Sequence, residues 1–456
     1  MRPLPLSQIA SWCEGRHFGA DVEIRAVSTD TRNVAAGALF IALRGENFDG
    51  HDFVAEAQAR GAAALLVHRE VDSSLPQIRC ADTEEALGEL AAGVQQGRRA
   101  VVVALTGSNG KTSVKTLTQG ILARAGRTYF NPGNRNNEIG LPLAVLDAPE
   151  DAQFAIYEMG AGKPGDIAYL ASIAPPQVAL VNNIAPAHME RMGSLLGIAE
   201  TKAAIYEALP DDGVAVINAD DAFAPFFMQI VGARRSFRFG IENDAHVRAD
   251  HIVASADGSR FSLHTPAGSA DIALPLPGRH SVMNALAAAA LALAAGAPFD
   301  AIVAGLNNAE AVKGRQISQR LTNGAVLIDD SYNANPGSVS AAIATLAQSG
   351  DEAWLVLGNM AELGEGAAAL HAEIGAQAKR AGLKKLWTVG DLAREASRAF
   401  GDGARHFDNQ QTLIAALTSE LHAGVRCLVK GSRSSAMDRI VNALLAQDRG
   451  EAGHAA

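Results

Sequence analysis

The chain has 456 residues, 48% of them hydrophobic and 19% charged, with a formal net charge of −10. A chain of this length exceeds one core and needs two or three domains, and its composition excludes a disordered polypeptide. The acidic balance argues against nucleic acid as a partner, and three scattered cysteines, Cys13, Cys80 and Cys427, make neither a disulfide framework nor a metal knuckle. The longest apolar run, residues 285–297, is too short to span a bilayer, and residues 1–5 lack a signal-peptide core. A cytoplasmic protein without stable membrane insertion is the expectation.

Residues 1–82 read as a small α/β unit, with strands over 38–43 and 63–67 and a helix over 53–60. Two polar clusters lie in its loops, Ser28-Thr29-Asp30-Thr31-Arg32 and Arg44 to His51. Hydroxyls, an arginine fork and a glycine turn can hold a diphosphate and a ribose. Solvated loop residues have the same look, and the cluster alone does not choose between them.

Residues 83–314 open on an apolar run, 101–105, that leads into Thr106-Gly107-Ser108-Asn109-Gly110-Lys111-Thr112-Ser113 and then a helical pattern over 114–123. Strand, glycine loop and helix in that order make a phosphate cradle. Glycines let backbone N–H groups close on an anion, Lys111 reaches the outer phosphates, and the Thr112 hydroxyl is placed for magnesium. Leu105 stands where the full P-loop spacing has a glycine, so the loop is a shorter variant.

Further buried strands are expected over 154–157, 178–181 and 214–217, giving a mostly parallel sheet whose ligands sit past the carboxyl ends of its strands. At those ends stand Glu158, which suits a magnesium ion or is a solvated loop carboxylate, and Asn182-Asn183 with His188 beyond. The helix over 194–209 has an apolar stripe of Leu195, Ile198, Ile205 and Leu209, and Lys202 fills the missing place on it. Such a lysine either snorkels to solvent or has a task. Asn131 to Glu138 is dense in asparagine, which makes turns or binds a polar ligand. Alternating runs over 234–275 read as inserted antiparallel hairpins. Pro277-Gly278-Arg279-His280-Ser281 then opens an Ala-rich helix with Asn284 in its first turn, where an amide either caps the helix or reads an adenine edge.

Residues 315–456 alternate again, with strands over 325–328, 354–357, 386–389 and 425–429 and helices over 339–347, 367–381 and 437–445. This is a second open α/β sheet, Rossmann-like but without the dinucleotide glycine fingerprint. Three polar sets, 329–336, 358–364 and 430–434, are expected to share one edge and form a cleft.

Together these motifs resemble those of the Mur ligases, nearly end to end. The stretch Asp329-Asp330-Ser331-Tyr332-Asn333-Ala334-Asn335-Pro336 is the most discriminating. It resembles the last ligase of the series more than the one adding the third residue, and it differs from folylpolyglutamate synthetase. The resemblance implies three α/β domains: a small N-terminal one (1–82) for the UDP substrate, a central P-loop ATPase-type one (83–314) with a mostly parallel sheet and antiparallel insertion, and a C-terminal Rossmann-like one (315–456).

The reaction it implies is ATP-driven amide formation with magnesium, joining D-alanyl-D-alanine to UDP-N-acetylmuramoyl-tripeptide through an acyl phosphate, by a monomer. Residues 106–113 would bind ATP, with Asn284 at adenine, Asp330 at the ribose and Arg315 at the γ-phosphate. Thr112 and Glu158 would hold one magnesium. His188 and Lys202 would serve a second, Lys202 as a carbamate. Lys111, Lys202, His188 and Arg315 would be catalytic. Ser28 and Arg32 would lie near the UDP group, and Asn136, Asn137, Ser432 and Arg433 near the peptide ends. Ser281 and Lys313 depart from the family pattern, which commonly has asparagine and proline there. The competing readings are another ligase of the superfamily, adding a single amino acid or glutamate, and a nucleotide-driven switch.

Overall fold

The computed structural model describes residues 1–454 apart from 46–47, 187–188, 256 and 350–351. It is an α/β molecule with three main sheets, and a short antiparallel ribbon pairs Leu4–Pro5 with Glu23–Ile24. In the first sheet Val27–Ser28, Leu39–Ile41, Ala64–Val67 and Gln77–Arg79 run parallel, and Arg16–Phe18 closes one edge antiparallel. Leu39–Ile41 and Ala64–Val67 are buried along their whole length, as strands covered on both faces must be.

The helix Thr83–Gln96 follows, capped by the Asp82 carboxylate on the Glu84 and Glu85 N–H groups. Its apolar face joins two regions. One cluster runs from Leu6 and Ile9 through Leu87, Leu90 and Val94 into Leu141, Ile167 and Ile205. The first sheet and the central sheet therefore grow from a shared core.

The central sheet has nine strands. Thr128–Phe130, Phe154–Glu158, Val101–Thr106, Val178–Val181, Val214–Asn218 and Arg235–Gly240 are parallel in that spatial order. Side-chain alternation splits them between two cores: Val102, Ala104, Ala155 and Tyr157 face one, while Val103, Leu105 and Ile156 face the other with the Ala-rich helix Arg279–Ala294. The expectation of hairpins over 234–275 holds only in part. Val247–Ala254, Ser259–Thr265 and Gly268–Leu274 form an antiparallel meander, but Arg235–Gly240 continues the parallel sheet. Phe237 and Phe239 pack into the core under the Ala-rich helix, and that burial fixes the strand among its parallel neighbours.

The third sheet runs Val326–Asp330, Val425–Lys430, Glu352–Leu357, Lys385–Val389 and Ala404–Phe407, all parallel, with Ile317–Arg320 antiparallel at one edge. The first three are neighbours. Their carboxyl ends bring Asp330, Lys430 and the loop after Leu357 to one edge, as the three polar sets in the sequence require. Among the described residues no helix is long and apolar enough to cross a membrane.

Candidate active site

The strand Val101–Thr106 delivers the glycine loop, and the helix Lys111–Leu122 leaves it. Gly110 caps that helix at φ +77°, and a Cβ there would lie 2.5 Å from Asn284 Oδ1 and 2.7 Å from Asn182 Nδ2. Glycine is required on both counts. The loop is braced from behind: Asn183 O accepts from Ser108 N–H at 2.9 Å, Asn183 Oδ1 from Asn109 N–H at 2.8 Å, and Asn182 Nδ2 donates to Asn109 O at 2.9 Å. Lys111 folds over the loop, its Nζ donating to Gly107 O at 2.7 Å. Burial pushes the Lys111 ammonium below its ordinary value; Glu158 pulls it up and Arg315 adds to the depression.

Glu158 is the end of the neighbouring strand and is buried. Asn131 clamps its backbone, accepting from Glu158 N–H at 2.9 Å and donating to Glu158 O at 3.0 Å. Asn136 Nδ2 donates to Oε1 at 2.8 Å, and the buried Lys115 ammonium lies 3.2 Å from Oε2. Lys115 also donates to Asn131 O at 2.9 Å and Gly133 O at 3.1 Å. Burial alone would raise the Glu158 carboxyl, but Lys115, Lys111 and the Asn136 bond outweigh it and hold the group below its ordinary value. The sequence reading missed Lys115. Its signal is the stripe Lys115, Thr118 and Leu122 at helical spacing, all three buried.

Lys202 lies on the helix Leu195–Glu207, whose Ser194 hydroxyl caps Gly197 N–H. It does not snorkel: it is 2% exposed. Burial drives its ammonium well below the ordinary value, Lys111 drives it further down, and only Asp166 opposes. Burial at this place therefore disfavours the ammonium relative to the uncharged amine. His188 lies outside the described residues.

The loop opens into a cavity of about 590 Å³, within the range of small-molecule sites. Its walls include residues from the first turns of three helices, Lys111, Arg279 and Gly337, and helix N-termini favour negative charge. Asn284, Arg315 and Asp330 line it too. Two bonds carry the third sheet onto the loop: Arg315 Nη2 donates to Thr112 Oγ1 at 3.0 Å, and Asn335 Nδ2 to Asn109 Oδ1 at 2.7 Å. Asp330 Oδ2 accepts from Lys430 Nζ at 2.7 Å, so this carboxylate is part of a buried ion pair. His280 shares that wall; burial lowers its imidazole, which Asp330 partly offsets.

The remaining expected residues stand outside this cavity. Ser28 Oγ donates to Asp30 O at 2.8 Å, and Arg32 is exposed in a two-pronged pair with Asp30. Asn137 Oδ1 accepts from Gly140 N–H at 2.9 Å, at the start of the helix Gly140–Asp147. Ser432 is buried, its hydroxyl 3.1 Å from Ser434 Oγ and 2.9 Å from Ser435 Oγ, and Arg433 is exposed beside Tyr332.

The donor set suits magnesium better than zinc. No cluster of three or more His, Cys, Asp or Glu side chains converges among the described residues. Instead Thr106 Oγ1 and Asn182 Oδ1 are buried without a hydrogen-bond partner, and Glu158 Oε2, at the end of the strand beside Thr106, has the Lys115 ammonium as its ionic neighbour. One carboxylate with hydroxyl and amide oxygens leaves room for waters and phosphate oxygens, as a magnesium ion demands.

Family models for the Mur ligase middle domain, the Mur ligase glutamate ligase domain and the Mur ligase family catalytic domain match residues 105–292, 314–433 and 23–95. The UDP-N-acetylmuramoyl-tripeptide–D-alanyl-D-alanine ligase of Escherichia coli (strain K12) is 45% identical over 447 residues, covering 97% of this chain and 99% of the relative. The chain belongs to the Mur ligase family. Among solved structures, MurF from Acinetobacter baumannii superposes on this Mur ligase with a TM-score of 0.93 at 34% identity, over 98% of this chain and 99% of that one. MurF ligase from Thermotoga maritima in complex with ADP gives 0.86 at 26% identity, over 94% and 98%.

Proposed function

We propose that this chain is an ATP-dependent, ADP-forming ligase that joins D-alanyl-D-alanine to UDP-N-acetylmuramoyl-tripeptide, making the pentapeptide precursor of peptidoglycan in the cytoplasm. The carrying observation is the cavity itself. A phosphate loop on one sheet faces the carboxyl edge of a second sheet, with Arg315 and Asn335 bridging them. The 45% identity to the Escherichia coli enzyme of that name supports the substrate pair.

The chemistry follows from charge. A carboxylate is a poor electrophile, so the tripeptide's terminal carboxylate attacks the γ-phosphorus, expelling ADP and forming an acyl phosphate. The neutral dipeptide amine then attacks the acyl carbon, phosphate leaves with the C–O bond electrons, and the nitrogen's surplus proton departs with it. The first step brings two anions together. Lys111 and Arg315 supply fixed positive charge there, and the loop N–H groups need no reorganisation. Magnesium, when bound, would neutralise the phosphate oxygens, held by Thr112 and Glu158 with His188 and Lys202 serving a second ion. A neutral Lys202 amine can take up carbon dioxide and release a proton, giving a carbamate oxygen donor in place of a repelled cation. Asn284 is assigned to adenine and Asp330 to the ribose. Ser28 and Arg32 are assigned to the UDP end, and Asn136, Asn137, Ser432 and Arg433 to the peptide ends. On this reading residues 1–82 serve the UDP moiety, 83–314 ATP, and 315–456 part of the nucleotide and the incoming amine.

The test is phosphate release with ATP, magnesium, UDP-N-acetylmuramoyl-tripeptide and an amine. D-alanyl-D-alanine is expected to support turnover, and single D-alanine or glutamate is not. Preference for a single amino acid would move the chain to another ligase of the family. Steady hydrolysis without any UDP substrate would make it a nucleotide-driven switch.

A further inference from the structure

Arg315 stands on a kinked strap. Gly314 before it and Gln316 after it both have left-handed backbone, at φ +74° and +55°. A non-glycine residue keeps that conformation only where its surroundings over-determine it. Here they do: Gly314 O accepts from Tyr332 N–H at 3.1 Å, Val312 O from Arg315 N–H at 2.9 Å, and Gln316 bonds His280. A Cβ on Gly314 would lie 3.2 Å from Tyr332 Cβ, so the strap and Tyr332 are in close contact.

The Tyr332 ring has two cationic neighbours. The Arg315 guanidinium carbon is 4.5 Å from its centroid and that of Arg433 is 5.7 Å. Arg315 gives one bond to Thr112, while its Nε is buried with no partner. The guanidinium thus faces the cavity with donors to spare, and the ring restrains its plane. A planar fork binds phosphate oxygens well only when its tilt is set, and an aromatic face sets it.

We propose that Tyr332 is a positioning residue that aims Arg315 at the phosphate loop and, through Arg433 on the same ring, ties that aim to the edge receiving the amine. The proposal rests on the ligase reading. Removing the ring leaves the charge in place but lets the fork swing. Nucleotide still binds, and the interaction made at the developing phosphoryl charge is lost.

The experiment is a double-mutant cycle on phosphate release, with ADP affinity measured by calorimetry in every variant. Tyr332→Leu is expected to lower kcat at least about tenfold with ADP affinity changed less than about threefold, the split of a group acting in the transition state. Tyr332→Phe keeps the ring face and should restore kcat to within about threefold of the parent. Arg315→Ala combined with Tyr332→Leu should be no slower than Arg315→Ala alone, because residues acting through one another are not additive. Losses that multiply in the double variant, or a phenylalanine variant as slow as the leucine one, overturn the proposal. Tyr332 is only half-buried, so the leucine variant should fold, and Tyr332→Met replaces it if it melts below assay temperature. A parent protein that turns over another amine but not the dipeptide would fail the substrate assignment, with the cycle still readable on that amine.

Discussion

The Lys115 ammonium lies 3.2 Å from Glu158 Oε2, with the two side chains 2% and 4% exposed. Removing one partner of such a pair leaves a buried charge uncompensated, at a cost of about 3–5 kcal/mol. Lys115→Met should therefore lower the unfolding free energy by roughly 3 kcal/mol, and adding Glu158→Gln should recover part of it. Urea denaturation of the three variants checks this; a stable Lys115→Met chain would mean the pair is not holding the strand end.

Lys202 tests the metal assignment. Lys202→Ala should bind an ATP analogue normally and lose at least about tenfold in turnover, the scale on which lost ligand support is felt. Short carboxylic acids should restore part of that activity by placing an oxygen where the lysine ended. Normal turnover in Lys202→Ala would rule out the carbamate.

Gly110 is a position where a single methyl group should disable the loop. Alanine meets both the +77° backbone and the crowding by Asn284 and Asn182. Strain of about 1–3 kcal/mol falls on the bound conformation, so affinity for an ATP analogue should drop by roughly tenfold or more. Calorimetry reads the effect directly, and an unchanged dissociation constant would contradict it.

His371 makes the third sheet sensitive to acid. Its ring is buried, Nε2 accepting from Met360 N–H at 2.9 Å and Nδ1 donating to Ala367 O at 2.7 Å. Burial lowers its pKa below the ordinary 6.5, partly offset by the Ala367 bond. The unfolded chain takes up this proton first, so the stabilisation is whole above pH 6.5 and is lost as pH falls through the lower folded value. Tryptophan fluorescence follows that transition, since Trp354 and Trp387 lie in this sheet. His371→Gln should flatten the fall in stability below pH 6.5, and an unaltered slope would assign it to other groups.

The phosphate loop was legible because its code is local: a strand, two glycines and a lysine within one turn of each other. Lys202 was legible because an apolar stripe exposes an intruder. Lys115 carries the same signature on the loop helix, but Lys111, four residues earlier, already accounts for a lysine there. Asp330 could be placed on the cavity edge from its strand, whereas its partner Lys430 is 100 residues away and meets it only through strand order. The asparagine-rich loop reads equally as turn-making or ligand-binding, because both uses draw on the same amides, and Asn137 accepts from Gly140 N–H at the start of a helix. The direction of Arg235–Gly240 was hidden because hairpin and parallel strands share an alternating pattern until Phe237 and Phe239 find their core.

The apolar cluster that passes from Leu6 through Leu90 to Ile205 has a consequence for exchange between relatives. The opening segment cannot be grafted from a cousin without also transplanting the matching surface of its neighbour. The closing third has its own apolar interior around Leu355 and Trp354 and follows the narrow strap at Gly314, so it is the portable unit. Chimeras cut at that strap should be recovered intact.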